Sequence, residues 1–174
     1  TVSFALSANI ENLTLIDDEA PRIAGGGDKD VTVLAGVDMG PAADRLLRAV
    51  AGRERIAIFA DYDVDGGASA ALLLTWLRHF DLQATLYIPD RIDEGYGPNV
   101  PAMSALAAAH DLFLCVDCGT LSHEPIAAAK GADVVILDHH LALETLPAAL
   151  AVVNPNRQDE DGALAHLCAA GVVF

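Results

Sequence analysis

The chain holds 174 residues, with ten Lys and Arg against 25 Asp and Glu, for a formal charge of −15. Its length suits one domain with a short appendage, and a hydrophobic fraction of 53% supplies a sizeable core. Only 20% of residues are charged, which excludes a disordered acidic tail, and the acidic balance argues against holding nucleic acid through bulk basic charge.

Residues 1–40 stand apart as an N-terminal arm and glycine-rich linker. They carry the acidic cluster Asp17-Asp18-Glu19 and the run Gly25-Gly26-Gly27-Asp28, so 24–30 reads as a linker or loop. Residues 1–30 read as a short β-rich arm. From Pro41 the pattern turns regular. Leu46, Leu47 and Val50 have helical spacing over 41–50, with Pro41 near the helix start. Ile56–Ala60 is a short apolar run, as in a strand buried on both faces. Ala68–Phe80 predicts a helix that is apolar almost all round and therefore buried. A strand over 84–88, a helix over 100–109, a strand over 112–116 and a helix near 124–130 follow. Strands over 133–137 and 151–153 complete the series. Strands alternating with helices imply right-handed βαβ units. Residues 41–174 are therefore expected to form an α/β, Rossmann-like three-layer sandwich, with a mainly parallel sheet of about five strands and helices on both faces.

The residues that carry chemistry follow three of these strands. Asp61, Asp63 and Asp65 follow the first, Asp117 the third, and Asp138-His139-His140 the fourth. Open parallel sheets bind ligands beyond the carboxyl ends of their strands, near a switch in strand order. Carboxylates converging there repel unless cations neutralise them. Carboxylates plus imidazole favour Mn²⁺, Mg²⁺ or Zn²⁺. This many ligands suggests two ions, an arrangement suited to hydrolysis at phosphorus. A single Asp after a strand is commonly a turn or cap residue, but three clusters at three strand ends go beyond that. Asp61-x-Asp63-x-Asp65-Gly66 also opens like an EF-hand loop. Its twelfth position is Leu72 rather than Glu, however, and a strand precedes it.

Cys115 and Cys118 have C-x-x-C spacing around Asp117. Cys115 falls inside the strand and only Cys118 reaches the loop, so both read as small core residues rather than a redox or zinc pair. Three cysteines make no disulfide framework. No apolar run approaches the roughly 18 residues of a membrane span, and no basic-then-apolar leader opens the sequence. There is no P-loop, no G-x-G-x-x-G turn and no nucleophile elbow. A start at Thr1 and a closing apolar run Gly171–Phe174 create the expectation of a chain cut at both ends.

Taken together, Asp61-Tyr62-Asp63-Val64-Asp65-Gly66, Val116-Asp117-Cys118-Gly119 and Asp138-His139-His140 resemble the first three motifs of the DHH phosphoesterase superfamily. The stretch Tyr87–Asn99 is similar to the RecJ-type single-strand-specific DNA exonucleases, as are Asn154-Pro155-Asn156 and Leu167–Phe174. The resemblance covers about residues 41–174. It implies a metal-dependent phosphodiesterase that hydrolyses single-stranded DNA from its 5′ end with two Mn²⁺ or Mg²⁺ ions. It implies Asp63, Asp65, Asp117 and His139 as metal ligands, with Asp117 bridging and Asp61 completing the set. It also implies that His140 touches the substrate phosphate, with Asp117, His139 and His140 as the catalytic group. Arg91, Gly95, Tyr96, Gly97 and Asn99 fall in a segment implied to lie near the nucleic acid. A guanidinium can grip phosphate, glycines admit close backbone approach, and Tyr can stack on a base. The bland alternative for Arg91 is an ion pair with Asp90, Asp93 or Glu94.

The resemblance further implies a cytoplasmic protein with single-stranded DNA as its substrate, other DNA repair proteins as partners, and no membrane. Two departures stand out. Phe59 occupies a position where some superfamily members have histidine, and the family's further downstream aspartate has no counterpart before Phe174. Two alternatives therefore stay open: a phosphodiesterase of short RNA or cyclic dinucleotides, and a catalytically silent binding module.

Overall fold

A computed structural model describes residues 36–174 in full, together with the strand backbone of 3–6, 10–14, 22–24 and 31–32. The chain divides into two compact units, Thr1–Ala35 and Gly36–Phe174. In the first, β1 (Ser3–Leu6), β2 (Ile10–Thr14), β3 (Arg22–Ala24) and β4 (Val31–Thr32) form an antiparallel sheet in the order β1-β2-β3-β4. Of the predicted linker at 24–30, Ala24 instead ends β3, and residues 25–30 lie outside the described residues.

The second unit alternates helix and strand: α1 (Met39–Gly52), β5 (Ile56–Ala60), α2 (Val64–Arg78), β6 (Ala84–Tyr87), α3 (Val100–Ala107), β7 (Leu112–Val116), α4 (His123–Ala128), β8 (Asp133–Leu137), β9 (Ala151–Val153) and α5 (Ala169–Val173). All five strands are parallel, in the order β6-β5-β7-β8-β9. From β5 the chain crosses to β6 on one side, then returns to β7 on the other. The switch in strand order therefore falls between β5 and β7.

Period-two alternation of the central strands feeds two cores. Ile56, Ile58, Leu112, Leu114, Val116, Val135 and Val153 face one layer with Ala49, Leu73, Leu77 and Val172 from α1, α2 and α5. Ala57, Phe59, Phe113, Cys115, Ile136 and Val152 face the other with Met103 and Ile126 from α3 and α4. Burial on both faces explains why these strands read as continuous apolar runs. The three-layer α/β sandwich is the fold that pattern predicts.

Three details differ from expectation. Helix α2 starts at Val64 rather than Ala68, because the Asp63 carboxylate caps it by accepting N–H bonds from Asp65 and Gly66 at 2.9 and 3.1 Å. It is buried along one side only, through Gly66, Ser69, Ala70, Leu73 and Leu77. Several of its outward positions are apolar all the same, and Leu72 is 38% exposed. Finally, α5 was not foreseen from the sequence.

Candidate metal centre and active site

Parallel register carries the site across the sheet. Ala60 pairs with Val116, Val116 with Leu137, and Leu137 with Val153. The next residue on each strand is Asp61, Asp117, Asp138 and Asn154. The ladder continues one step into this row. Asp61 N–H donates to Val116 O, Asp117 N–H to Leu137 O, and Asp138 N–H to Val153 O, at 3.3, 3.0 and 3.1 Å. Four polar residues thus stand side by side at the carboxyl edge, all at most 3% exposed.

Backbone shape then aims the loops. Asp117 sits in the left-handed region at φ 60°, which Asp tolerates better than most L-residues. Such a turn at a strand end marks a place where packing overrides local preference. Gly66 is required by space, since a Cβ there would lie 2.4 Å from the Asp61 carbonyl oxygen.

Two groups of side chains could each hold a cation. One ligand atom from each of Asp61, Asp63 and Asp117 lies within 4.8 Å of the others, and the same is true of Asp117, His139 and His140. Asp117 belongs to both. His139 Nε2 stands 3.3 Å from Asp117 Oδ1 and 3.6 Å from Asp65 Oδ2. The fit to a cation can be read from unmet acceptors, because the buried Oδ1 atoms of Asp61 and Asp117 have no hydrogen-bond partner. Buried anionic oxygens left this way are costly unless a positive charge meets them. Oxygen and imidazole donors together suit a hard or borderline divalent ion.

Electrostatics record the same crowding. Burial, followed by Asp63 and Asp65, pushes the Asp117 carboxyl up to about 7. Burial also raises Asp61. Asp63 goes the other way, held down by the N–H of Gly66. Burial alone would raise Asp138, but donors from Thr120 and His140 outweigh it and hold the carboxyl below its ordinary value. Burial likewise opposes charge on His140, yet the bond to Asp138 and the surrounding carboxylates raise it overall. That bond runs from His140 Nδ1 to Asp138 Oδ1 at 2.8 Å.

Asp65 contributes differently from its neighbours. Besides facing His139, its carboxylate accepts the N–H groups of Ala169 and Ala170 at 2.7 and 2.8 Å, closing the start of α5. Phe59, where a histidine was absent, is fully buried and stacks on Tyr87 with centroids 5.2 Å apart. Both Cys115 and Cys118 are buried. Cys118 was expected to reach the loop, but its thiol turns back toward the Phe59 carbonyl at 3.9 Å. Burial pushes the Cys115 thiol up to about 12 and that of Cys118 well above its ordinary value.

The 88–99 segment borders this crevice. The Tyr96 hydroxyl donates to the Asp117 carbonyl at 3.3 Å and lies 3.4 Å from His140 Nδ1. Gly95 and Gly97 flank it at φ 85° and 70°, conformations that glycine adopts freely. The Arg91 guanidinium stands 5.1 Å from the Tyr62 ring centre, a cation–π geometry. Asn99 caps α3, with its Oδ1 accepting the Ala102 N–H at 2.9 Å and its Nδ2 donating to Glu94 at 3.3 Å. Asn154 and Asn156 were given no role from the sequence. They were visible only as the N-P-N run after a short apolar strand, which shares in the resemblance but names no contact.

A parallel sheet whose switch point gathers carboxylates and paired histidines defines an α/β protein with a candidate centre for hard or borderline divalent ions. The chain belongs to the DHH family, and residues 55–174 match that family's N-terminal domain. Over 139 residues it is 38% identical to the single-stranded-DNA-specific exonuclease RecJ of Bacillus subtilis, covering 78% of this chain and 18% of that protein. It is 39% identical over 150 residues to the RecJ of Dickeya dadantii, covering 83% and 26%. A crystal structure of exonuclease RecJ bound to manganese superposes with a TM-score of 0.75 at 33% identity, covering 83% of this chain and 37% of that one. The chain thus spans about a fifth to a quarter of the length of these two curated relatives.

Proposed function

We propose that residues 41–174 carry the cutting centre of a metal-dependent phosphodiesterase that hydrolyses single-stranded DNA from its 5′ end. The observation that carries this reading is Asp117, which belongs to both cation-capable groups and whose buried Oδ1 has no hydrogen-bond partner. Asp61, Asp63 and Asp117 would hold one Mn²⁺ or Mg²⁺, and Asp117, His139 and the adjacent Asp65 a second. When bound, two such ions supply a water of lowered pKa and neutralise charge on the phosphate.

The chain's own residues do the rest. Asp138 holds the His140 imidazole by its Nδ1, leaving Nε2 to donate to a phosphate oxygen as charge builds there. Tyr96, 56% exposed, offers a ring on which a base stacks. Arg91 grips a backbone phosphate while Tyr62 keeps the guanidinium in place. Gly95 and Gly97 keep the strand's path free of side chains, and Asn99 holds this segment to α3. The acidic body makes Arg91 matter more, since little other positive charge is present to hold a strand. Cytoplasmic location and contact with other repair proteins belong to the same proposal. No described helix is long and apolar enough to cross a membrane.

The test pairs Mn²⁺ titration by calorimetry with nucleotide release from 5′-labelled single-stranded DNA, a two-nucleotide RNA and a cyclic dinucleotide. Manganese-dependent release from the long strand, lost in Asp117→Ala, is the expected result. Preference for the dinucleotides would move the substrate to the small-oligonucleotide class. Mn²⁺ binding weaker than millimolar would refute the metal centre.

A further inference from the structure

We propose that Asn154, together with Asn156 and Thr120, forms a frame that positions the His139–His140 pair for hydrolysis. The inference takes from the phosphodiesterase reading only what the two histidines do, and the contacts themselves do not depend on it. Asn154 follows β9 and is fully buried. A buried amide is costly unless its donors and acceptor are met. Its Nδ2 donates to Thr120 Oγ1 and to the His140 carbonyl, both at 2.9 Å. Its Oδ1 accepts the Asn156 N–H at 2.8 Å.

The pattern becomes directed when the dipeptide is followed atom by atom. The N–H groups of His139 and His140 both donate to Asp138 Oδ1, at 2.7 and 3.2 Å. The His139 carbonyl accepts from Asn156 Nδ2, and the His140 carbonyl from Asn154 Nδ2. Every backbone polar group of the pair is thus met by a side chain, without help from a helix or sheet ladder. Thr120 closes the ring, since its N–H donates to Asp138 Oδ2 at 3.1 Å while its hydroxyl accepts from Asn154. The loop after β7, the loop after β8 and the end of β9 are tied into one unit. The frame fixes where His139 Nε2 meets Asp117 and which ring nitrogen of His140 meets Asp138. Groups of this kind, one step behind a metal ligand, are worth about 10–100-fold in metal affinity.

The test uses the metal-free chain and reads imidazole nitrogen NMR signals of His139 and His140, then Mn²⁺ affinity. Asn154→Asp keeps the volume but removes both N–H donors and sets a carboxylate against the His140 carbonyl. Thr120→Val removes the acceptor, whereas Thr120→Ser retains it. Expected are shifted or split ring signals in Asn154→Asp and Thr120→Val, an about tenfold loss of Mn²⁺ affinity, and wild-type signals in Thr120→Ser. Asn156→Asp, at a half-buried position, covers the case in which the buried variants fail to fold, and should move the His139 signals. A merely structural role would lower the melting temperature and leave the rings unmoved. Wild-type ring signals and Mn²⁺ affinity in the folded variants would overturn the proposal. If the wild-type chain binds no Mn²⁺ while its ring signals still move in Asn154→Asp, the hydrolase reading fails and the frame stands.

Discussion

Asp65 accepts the backbone N–H of Ala169 at 2.7 Å across 104 positions of sequence. With the Ala170 contact, this makes a side chain from the candidate metal centre the anchor of α5. The first N–H groups of a helix have no partner within it, and a carboxylate there is doubly favourable because of the helix dipole. Asp65→Ala is expected to cost about 1–2 kcal/mol, as loss of a helix cap does. Urea unfolding of the metal-free chain measures it. Hydrogen exchange at Ala169 and Ala170 should accelerate in the same variant, and unchanged exchange would show that α5 is held elsewhere.

Asp117 links stability, pH and metal. Its carboxyl lies near 3.8 when unperturbed and at about 7 in the fold. A raised folded-state pKa means that its contribution to stability is complete below the unfolded value and is lost as pH rises through about 7. The metal-free chain should therefore melt lower at about pH 8 than at about pH 5 through this group, and Asp117→Asn should flatten that difference. Bound Mn²⁺ favours the deprotonated form, so its stabilising effect should grow over the same interval. Thermal scans with and without Mn²⁺ at both pH values check each sign.

Two adjacent glycines make a paired test. At Gly66 an added Cβ would meet Asp61 backbone at 2.4 Å, whereas at Gly67 nothing lies within 4 Å. Gly66→Ala is expected to destabilise by about 1–3 kcal/mol, as overpacking does, and to displace Asp61. Gly67→Ala, on the exposed side of α2, should stabilise by about 0.5–1 kcal/mol. Denaturant midpoints that move alike in the two variants would contradict this placement.

Arg91 supplies charge where the chain is otherwise acidic. Removing one phosphate contact lowers the salt slope for single strands by about 0.7. Arg91→Ala should weaken single-stranded DNA binding and reduce that slope, while leaving Mn²⁺ affinity unchanged. Fluorescence anisotropy at several salt concentrations reads the first effect, and calorimetry the second.

Much of this is legible in the amino-acid sequence. The apolar runs at 56–60, 112–116 and 134–137 are strands because burial on both faces leaves no position for polar residues. The aspartates and histidines that follow them stand at the strand ends for the same reason: the first polar residue marks where the core stops. The C-x-x-C pair was legible as core, although Cys118 is deeper than its loop position suggested. Gly66 and Gly67 are poor helix formers and mask the first turn of α2, and only the Asp63 cap shows that the helix begins before them.

What the sequence determined by itself is therefore the set of elements, their parallel order of hydrophobicity, and the chemical kind of residue at each strand end. Those properties are local, written in spacing and composition over a few residues. The tertiary structure decided which strand ends are neighbours, and so put Asp61, Asp117, Asp138 and Asn154 in one row. It also decided that Asp65 serves α5 as well as the crevice, and that Asn99 is occupied as a cap. Two amides held the His139–His140 backbone without any periodic signal to announce them. Hydrogen bonds between residues far apart in sequence leave no local pattern. They follow from register and strand order, which only the assembled sheet specifies.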